Sequence, residues 1–211
     1  MSGRKVSNPL ALAVMALLYE RPMHPYEMVS VMRERGQHES VRLRYSSLYS
    51  VVEVLGREGL ISPRETVREG RRPERTVYGL TEAGRVEFLR WLRELLGKPV
   101  KEYTQFAAGL TFLVALPPSE ARSLLEERAR LLEEEVGEMR SQLDAVMEGG
   151  LSRVFLVENE HELVLREAEL EWVRGLVREI ESGRLGGLRE WESFHRGRPR
   201  HEADQGGRSM T

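Results

Sequence analysis

The stretch from Tyr45 to Leu80 constrains the fold more than any other part of this 211-residue chain. Leu48, Val52 and Leu55 recur at four and then three residues, a spacing that puts them on one stripe of a helix. That stripe leaves Ser46, Ser47, Tyr49, Ser50 and Glu53 facing outward. Ser46 or Ser47 is placed to cap the helix by accepting the amide hydrogens of its first turn. Gly56 and Gly59 weaken and end it. Leu60 to Val67 then reads as a short strand, REGRRPER at 68 to 75 as an arginine-rich turn, and TVYGL at 76 to 80 as a returning strand. Helix, strand, basic turn and strand have the proportions of a recognition helix and its wing, and equally those of an ordinary helix-plus-hairpin surface.

The flanking segments read as helices that would support such a unit. Asn8-Pro9 is a helix start, with asparagine as the cap and proline where its missing amide hydrogen costs nothing. Leu10, Val14, Leu17 and Leu18 form its apolar stripe. HPYEMVSVMRERG at 24 to 36 predicts a second helix with Tyr26, Val29 and Met32 inward and Gly36 as its stop. His24 is expected to hydrogen-bond at that helix start. Arg42 and Arg44 sit in the connection just ahead of the candidate recognition helix. After the hairpin, Thr81 caps a fourth helix whose buried side is expected to be Val86, Leu89, Leu92 and Leu95 or Leu96. Gly97 and Pro99 close a first domain, 1–97.

HPYEM at 24 to 28, SSLYSVVEVLGREGLI at 46 to 61, the basic turn, and YGLTEAG at 78 to 84 together resemble the PadR family of bacterial transcriptional regulators. The resemblance implies a mainly α fold: an N-terminal winged helix-turn-helix with a two-stranded wing and a C-terminal long-helix dimerisation domain. It also implies double-stranded DNA as a partner, with Tyr49 and the basic turn as contacts. Two departures from the family pattern are visible. Pro25 stands where glycine is common, and Ser46, Ser47 and Ser50 stand where glycine-threonine and proline are common.

On that reading Arg42, Arg44, Ser46, Ser47 and Tyr49 are candidates for phosphate, since contacts to the backbone position such a protein while base contacts specify sequence. Arg68, Arg71, Arg72 and Arg75 would enter or flank the minor groove. No arginine or lysine stands between Ser46 and Val54. Base reading there falls to Ser47, Ser50, Glu53 and apolar contact from Val51 or Val54, so the wing and dimer spacing are expected to supply much of the discrimination.

The second domain is expected over 98–188. KEYTQFAAGLTFLVAL, at 101 to 116, predicts a helix apolar on nearly every side and therefore central to a core. Pro118-Ser119-Glu120 opens a longer one, in which Leu125, Ala129, Leu132, Val136, Met139, Leu143 and Val146 alternate at four and three. Gly149-Gly150 ends it. A third helix from about Ser152 to Glu181 carries Phe155, Leu163, Leu170, Val173, Val177 and Ile180 on one side. A two-fold homodimer burying Leu125, Leu132, Val136, Met139, Leu143, Leu163, Leu170, Val173 and Val177 is the expected solution. An intramolecular antiparallel pair would satisfy the same stripes. From about Arg189 the periodicity fails, so 189–211 is expected to be a disordered tail, at least from Gly197.

Function classes narrow further by absence. With no cysteine, thiolate metal sites, disulfides and cysteine nucleophiles are excluded. The apolar run Leu10 to Leu18 is too short for a membrane span and lacks a cleavage site before Glu20, so a cytoplasmic location without membrane association is expected. The five histidines are scattered and no phosphate loop or nucleophile elbow is present, so neither an enzyme nor a cofactor is expected. Glu158 and His161 are three apart, but two ligands are too few for a metal site. The net charge of −2 divides unevenly. Residues 1–96 hold 16 basic against 12 acidic side chains, or +4, and residues 97–211 hold 16 against 22, or −6. A polyanion would be drawn to the first half.

The expected function is therefore a sequence-specific regulator, with repression as the expected sign, that binds a palindromic operator as a homodimer. Regulators resembling this one often answer to a small-molecule effector, for which Trp172, Trp91, Phe106 and Phe112 are candidate lining residues. The competing reading is a helical scaffold whose winged helix contacts protein.

Overall fold

A computed structural model describes residues 8–36, 45–67 and 75–196. They divide into two compact units, Met1–Lys101 and Glu102–Thr211.

The first unit opens with α1 (Pro9–Glu20), whose Asn8 cap accepts from the Leu10 amide at 2.9 Å. α2 (Pro25–Glu34) follows. Its inward residues are Pro25, Met28, Val29 and Met32, whereas Tyr26 is 54% exposed. The expectation for Tyr26 was wrong because the helix starts at Pro25, and the core-facing stripe counts three and four from there. Between α1 and α2 the Arg35 guanidinium donates to both oxygens of Glu20, at 2.6 and 2.9 Å. That hydrogen bond holds the Glu20 carboxyl below its ordinary range. The pair therefore contributes above the unfolded carboxylate pKa and is lost as pH falls through the folded one.

α3 (Tyr45–Arg57) buries Leu48, Val51, Val52 and Leu55 against α1 and α2. Ser46 and Ser47 lie inside its first turn and so do not serve as the cap. Its end is a Schellman motif. Gly59 takes φ 70°, the Leu60 amide donates to Leu55 O at 2.9 Å and the Gly59 amide to Gly56 O at 3.0 Å.

β1 (Ile61–Val67) and β2 (Arg75–Leu80) pair antiparallel from Ile61↔Leu80 to Val67↔Arg75, with a register shift between Pro63 and Glu65. Met23 adds a one-residue third strand, exchanging backbone bonds of 3.0 and 3.1 Å with Tyr78. The hairpin root is thereby tied to the turn between α1 and α2.

α4 (Glu82–Gly97) buries Gly84, Phe88 and Trp91. Val86, Leu95 and Leu96 are exposed, contrary to the sequence expectation, while Leu89 and Leu92 pack at the core margin. Close approach of Gly84 to the Leu60 carbonyl sets this face, and Phe88 and Trp91 follow four and seven residues on.

In the second unit α5 (Gln105–Thr111) and a 3-10 turn (Leu113–Ala115) bury no residue, and Phe112 is 72% exposed. The expected central helix is absent because a segment apolar on all sides needs cover on all sides. Here only Phe106, Leu113 and Leu116 meet the core. α6 (Pro118–Glu148) and α7 (Val157–Glu181) form an antiparallel pair, with a second 3-10 turn (Arg153–Phe155) between them. That turn shortens the last long helix to 25 residues, roughly 37 Å.

The seam of α6 and α7 holds Leu125, Leu132, Val136, Leu163, Leu170 and Val173, all buried, with Met139, Leu143 and Val177 packed beside them. These nine residues were expected to meet a second copy. Within one chain they already cover one another, because the connection 149–156 lets the two stripes fold together. Arg122–Glu181 at 3.7 Å, Arg174–Glu133 at 2.6 Å and Arg166–Glu135 at 3.2 Å cross the seam. Partly exposed pairs of this kind contribute about 0–1 kcal/mol each, so the apolar seam supplies the stability and the charges fix its register.

α8 (Leu188–Arg196) occupies part of the segment expected to be disordered. Trp191 is buried, its indole N–H donates to Leu116 O at 2.8 Å, and the His195 ring Nε2 lies 3.0 Å from Val114 O. A nine-residue helix is too short for periodicity to reveal, and one tryptophan with a receptive carbonyl orders it. The rest of the expected tail, 197–211, lies outside the described residues.

Candidate nucleic-acid interface

The outward side of α3 presents one polar face. Ser46, Tyr49, Ser50, Glu53 and Arg57 follow one another at three, one, three and four residues, so they share a stripe opposite Leu48, Val51, Val52 and Leu55. Tyr49 is 48% exposed and Ser46 and Ser50 are exposed, while Ser47 is half-buried beside them. Val51, expected as an outward apolar contact, is buried, and Val54 is exposed at the edge. Arg57, outside the Ser46–Val54 span that lacks a cation, also lies on this face because the helix runs on through Gly56. Its guanidinium donates to Glu53 Oε1 at 2.9 Å.

Ser50 Oγ donates to Ser46 O at 3.0 Å. While that bond stands, the hydroxyl proton is spent on the helix and Ser50 offers only lone pairs, which suit a base amino group and not a phosphate. The donors on this face are the Tyr49 hydroxyl, the Ser46 hydroxyl and the Arg57 guanidinium.

A groove of about 420 Å³ runs beside the stripe, lined by His24, Pro25, Tyr49, Ser50, Val52, Glu53, Thr76 and Tyr78. His24 is the cap of α2, as its position in HPYEM suggests, with Nδ1 accepting from the Tyr26 amide at 3.0 Å. That bond assigns the proton of a neutral ring to Nε2. Thr76 and Tyr78 reach the groove from β2, and only the strand pairing brings them there. Nothing in the sequence marks them out as neighbours of Tyr49.

Arg42, Arg44, Arg68, Arg71 and Arg72 lie outside the described residues. Arg75 opens β2, and its backbone alone is described. In the second unit Phe106 and Trp172 meet edge to face at 6.1 Å, with the Arg128 guanidinium 3.7 Å over the Phe106 ring. Trp91 belongs to the core of the first unit, and Phe112 is exposed. Among the described residues no group of three or more histidine, cysteine or carboxylate side chains is placed to hold a metal, and no helix is long and apolar enough to cross a membrane.

A three-helix base, a helix with an outward polar stripe, a two-stranded hairpin and a one-residue third strand define the winged helix-turn-helix class of transcriptional regulators. Residues 14–90 match the transcriptional regulator PadR-like family, so the chain carries a PadR-like domain there. It is 26% identical over 175 residues to the negative transcriptional regulator PadR of Bacillus subtilis (strain 168), covering 82% of this chain and 94% of that protein. The crystal structure of Bacillus subtilis PadR in complex with operator DNA is similar in fold, with a TM-score of 0.66 and 20% identity over 81% of this chain and 98% of that one. Its complex with p-coumaric acid gives a TM-score of 0.65 and 20% identity over 82% and 98%.

Proposed function

We propose that this chain is a cytoplasmic, sequence-specific repressor that binds a palindromic operator as a homodimer and answers to a small aromatic effector. The single observation that carries DNA binding is the outward stripe of α3, a continuous polar face on a helix held by a buried opposite face and flanked by the hairpin. The operator complex of the Bacillus subtilis relative supports the same use of the fold. Arg42, Arg44, Arg68, Arg71, Arg72 and Arg75 are proposed for the phosphate backbone and minor groove. Selection from a genomic fragment pool at two salt concentrations tests this. A palindromic site whose affinity falls steeply with salt is expected, and no enrichment at low salt favours the scaffold reading. Arg71→Ala with Arg72→Ala is expected to weaken binding to all sequences and to reduce the salt slope by roughly one for each arginine removed.

The dimer needs a surface other than the α6 and α7 seam. Leu124 and Leu131 lie seven apart on α6 with Arg128 between them, and Leu165 and Trp172 lie seven apart on α7 with Glu169 between them. Arg128 Nε donates to Glu169 Oε1 at 2.7 Å, so both pairs lie on the same side of the hairpin. All four apolar residues are more than half exposed in the single chain. This face is the proposed two-fold contact. Leu131→Asp with Leu165→Asp is expected to give the 24.3 kDa monomer in light scattering where the parent chain gives twice that mass. A monomeric parent at micromolar concentration would refute the dimer.

Trp172 then stands at the seam between copies, beside Phe106 and Arg128. The p-coumaric acid complex of the relative supports an aromatic acid as the class of effector. Its binding would shift operator affinity only by favouring one dimer geometry over another.

A further inference from the structure

We infer that Glu53 is a specificity-determining residue that reads a cytosine amino group in the major groove, an inference that rests on the DNA-binding reading above. Glu53 sits centrally on the exposed stripe of α3, three residues after Ser50 and four before Arg57, and its side chain is 74% exposed. It also lines the groove shared with Tyr49, Ser50, Thr76 and Tyr78. A carboxylate on a face that meets a polyanion opposes binding to every sequence alike, because it repels phosphates wherever the protein lands. It becomes favourable only where the DNA offers a donor.

The major groove presents two donors, cytosine N4 and adenine N6. Adenine places the N7 acceptor next to its amino group, and a carboxylate beside N7 meets a second negative edge. Cytosine places a C–H there. An ionised acceptor therefore selects cytosine. The Arg57 guanidinium fixes Glu53 Oε1 at 2.9 Å, which leaves Oε2 as the acceptor assigned to the base. Ser50, its hydroxyl proton committed to Ser46 O, adds lone pairs on the same face. The stripe from Ser50 to Glu53 is thus rich in acceptors, whereas the donors lie at its two ends. This arrangement discriminates against acceptor-bearing base edges, and it accounts for how a recognition helix without a central arginine or lysine specifies sequence.

The experiment is base-preference profiling of the full chain and of Glu53→Gln and Glu53→Ala by selection from a randomised operator library at fixed salt, with scrambled DNA measured in parallel. The parent chain is expected to prefer cytosine at one position of each half-site. Glu53→Ala is expected to lose that preference by roughly tenfold, keep the other positions, and bind scrambled DNA at least as tightly as the parent. Glu53→Gln is expected to move the preference at that position toward adenine, since an amide pairs with adenine N6 and N7. Parent and variants sharing one base preference at every position would overturn the role of Glu53 while leaving DNA binding intact. A parent chain that enriches no site at any salt would overturn the DNA-binding reading and this inference together.

Discussion

Gly84→Ala is expected to destabilise the N-terminal unit by about 3–5 kcal/mol, a large fraction of the stability of a domain this size. A methyl group on Gly84 would lie 2.0 Å from the Leu60 carbonyl oxygen and 2.9 Å from its carbon. The obstacle is backbone and has no flexible end to swing away. That carbonyl also accepts from the Thr81 amide at 3.0 Å, and the Thr81 hydroxyl, 2.8 Å from Gly59 O and 3.0 Å from Leu60 O, caps α4 by accepting from the Gly84 amide. Relief of the clash therefore breaks the joint between the end of α3, the root of the hairpin and the start of α4. The fall in melting temperature is expected at roughly 15–30 °C. Thermal unfolding monitored by circular dichroism checks it, and a melting point within 5 °C of the parent, roughly 1 kcal/mol, would show that the joint yields more easily than its geometry implies.

Trp191→Ala is expected to cost the C-terminal unit about 3–5 kcal/mol and to release α8. The indole is 7% exposed and packs with Ala121, Leu125 and their neighbours, and its N–H occupies the Leu116 carbonyl. Truncation removes the area, opens a cavity and leaves that carbonyl without its donor. A nine-residue helix has no stability of its own once undocked. Amides of 188–196 are then expected to exchange at unfolded rates while those of α6 and α7 stay protected. Trp191→Phe separates the two contributions, keeping most of the area and losing only the hydrogen bond, at about 1 kcal/mol. Protection of α8 unchanged in the alanine variant would mean that Leu188 and His195 suffice to hold it.

Much of the first unit was legible in the chain, because its signals are local. Asn8, Thr81 and Gly59 each cap or stop a helix through a hydrogen bond to a residue within three positions, so caps and stops could be read from neighbours alone. The buried stripe of Leu48, Val52 and Leu55 followed from helix period. Val29, Met32, Leu89 and Leu92 lie on the core side as their spacing implies, whereas Tyr26, Val86, Leu95 and Leu96 do not. The position where a helix starts, or a glycine pressed against a carbonyl from another element, decides which residues at the margin of a stripe are covered.

The candidate interface divides the same way. Ser46, Tyr49, Ser50 and Glu53 were visible as the polar complement of a buried stripe. Arg57 belongs to that stripe but lies beyond the stretch where the apolar repeat drew attention. Thr76 and Tyr78 became neighbours of Tyr49 only through strand pairing, and His24 only through the bridge that ties Met23 to Tyr78.

The sequence by itself determined the order of elements, the breaks between them and which residues had to be hidden, since period and capping depend on near neighbours along the chain. Only the tertiary structure decided what hides them. The stripes of α6 and α7 read equally as a contact between two chains or within one. The length and direction of the connection at 149–156 gave the intramolecular answer and left Leu124, Leu131, Leu165 and Trp172 among the apolar residues more than half exposed. Hydrophobic burial is indifferent to which chain supplies the partner surface, so a pattern can demand cover and cannot name its source.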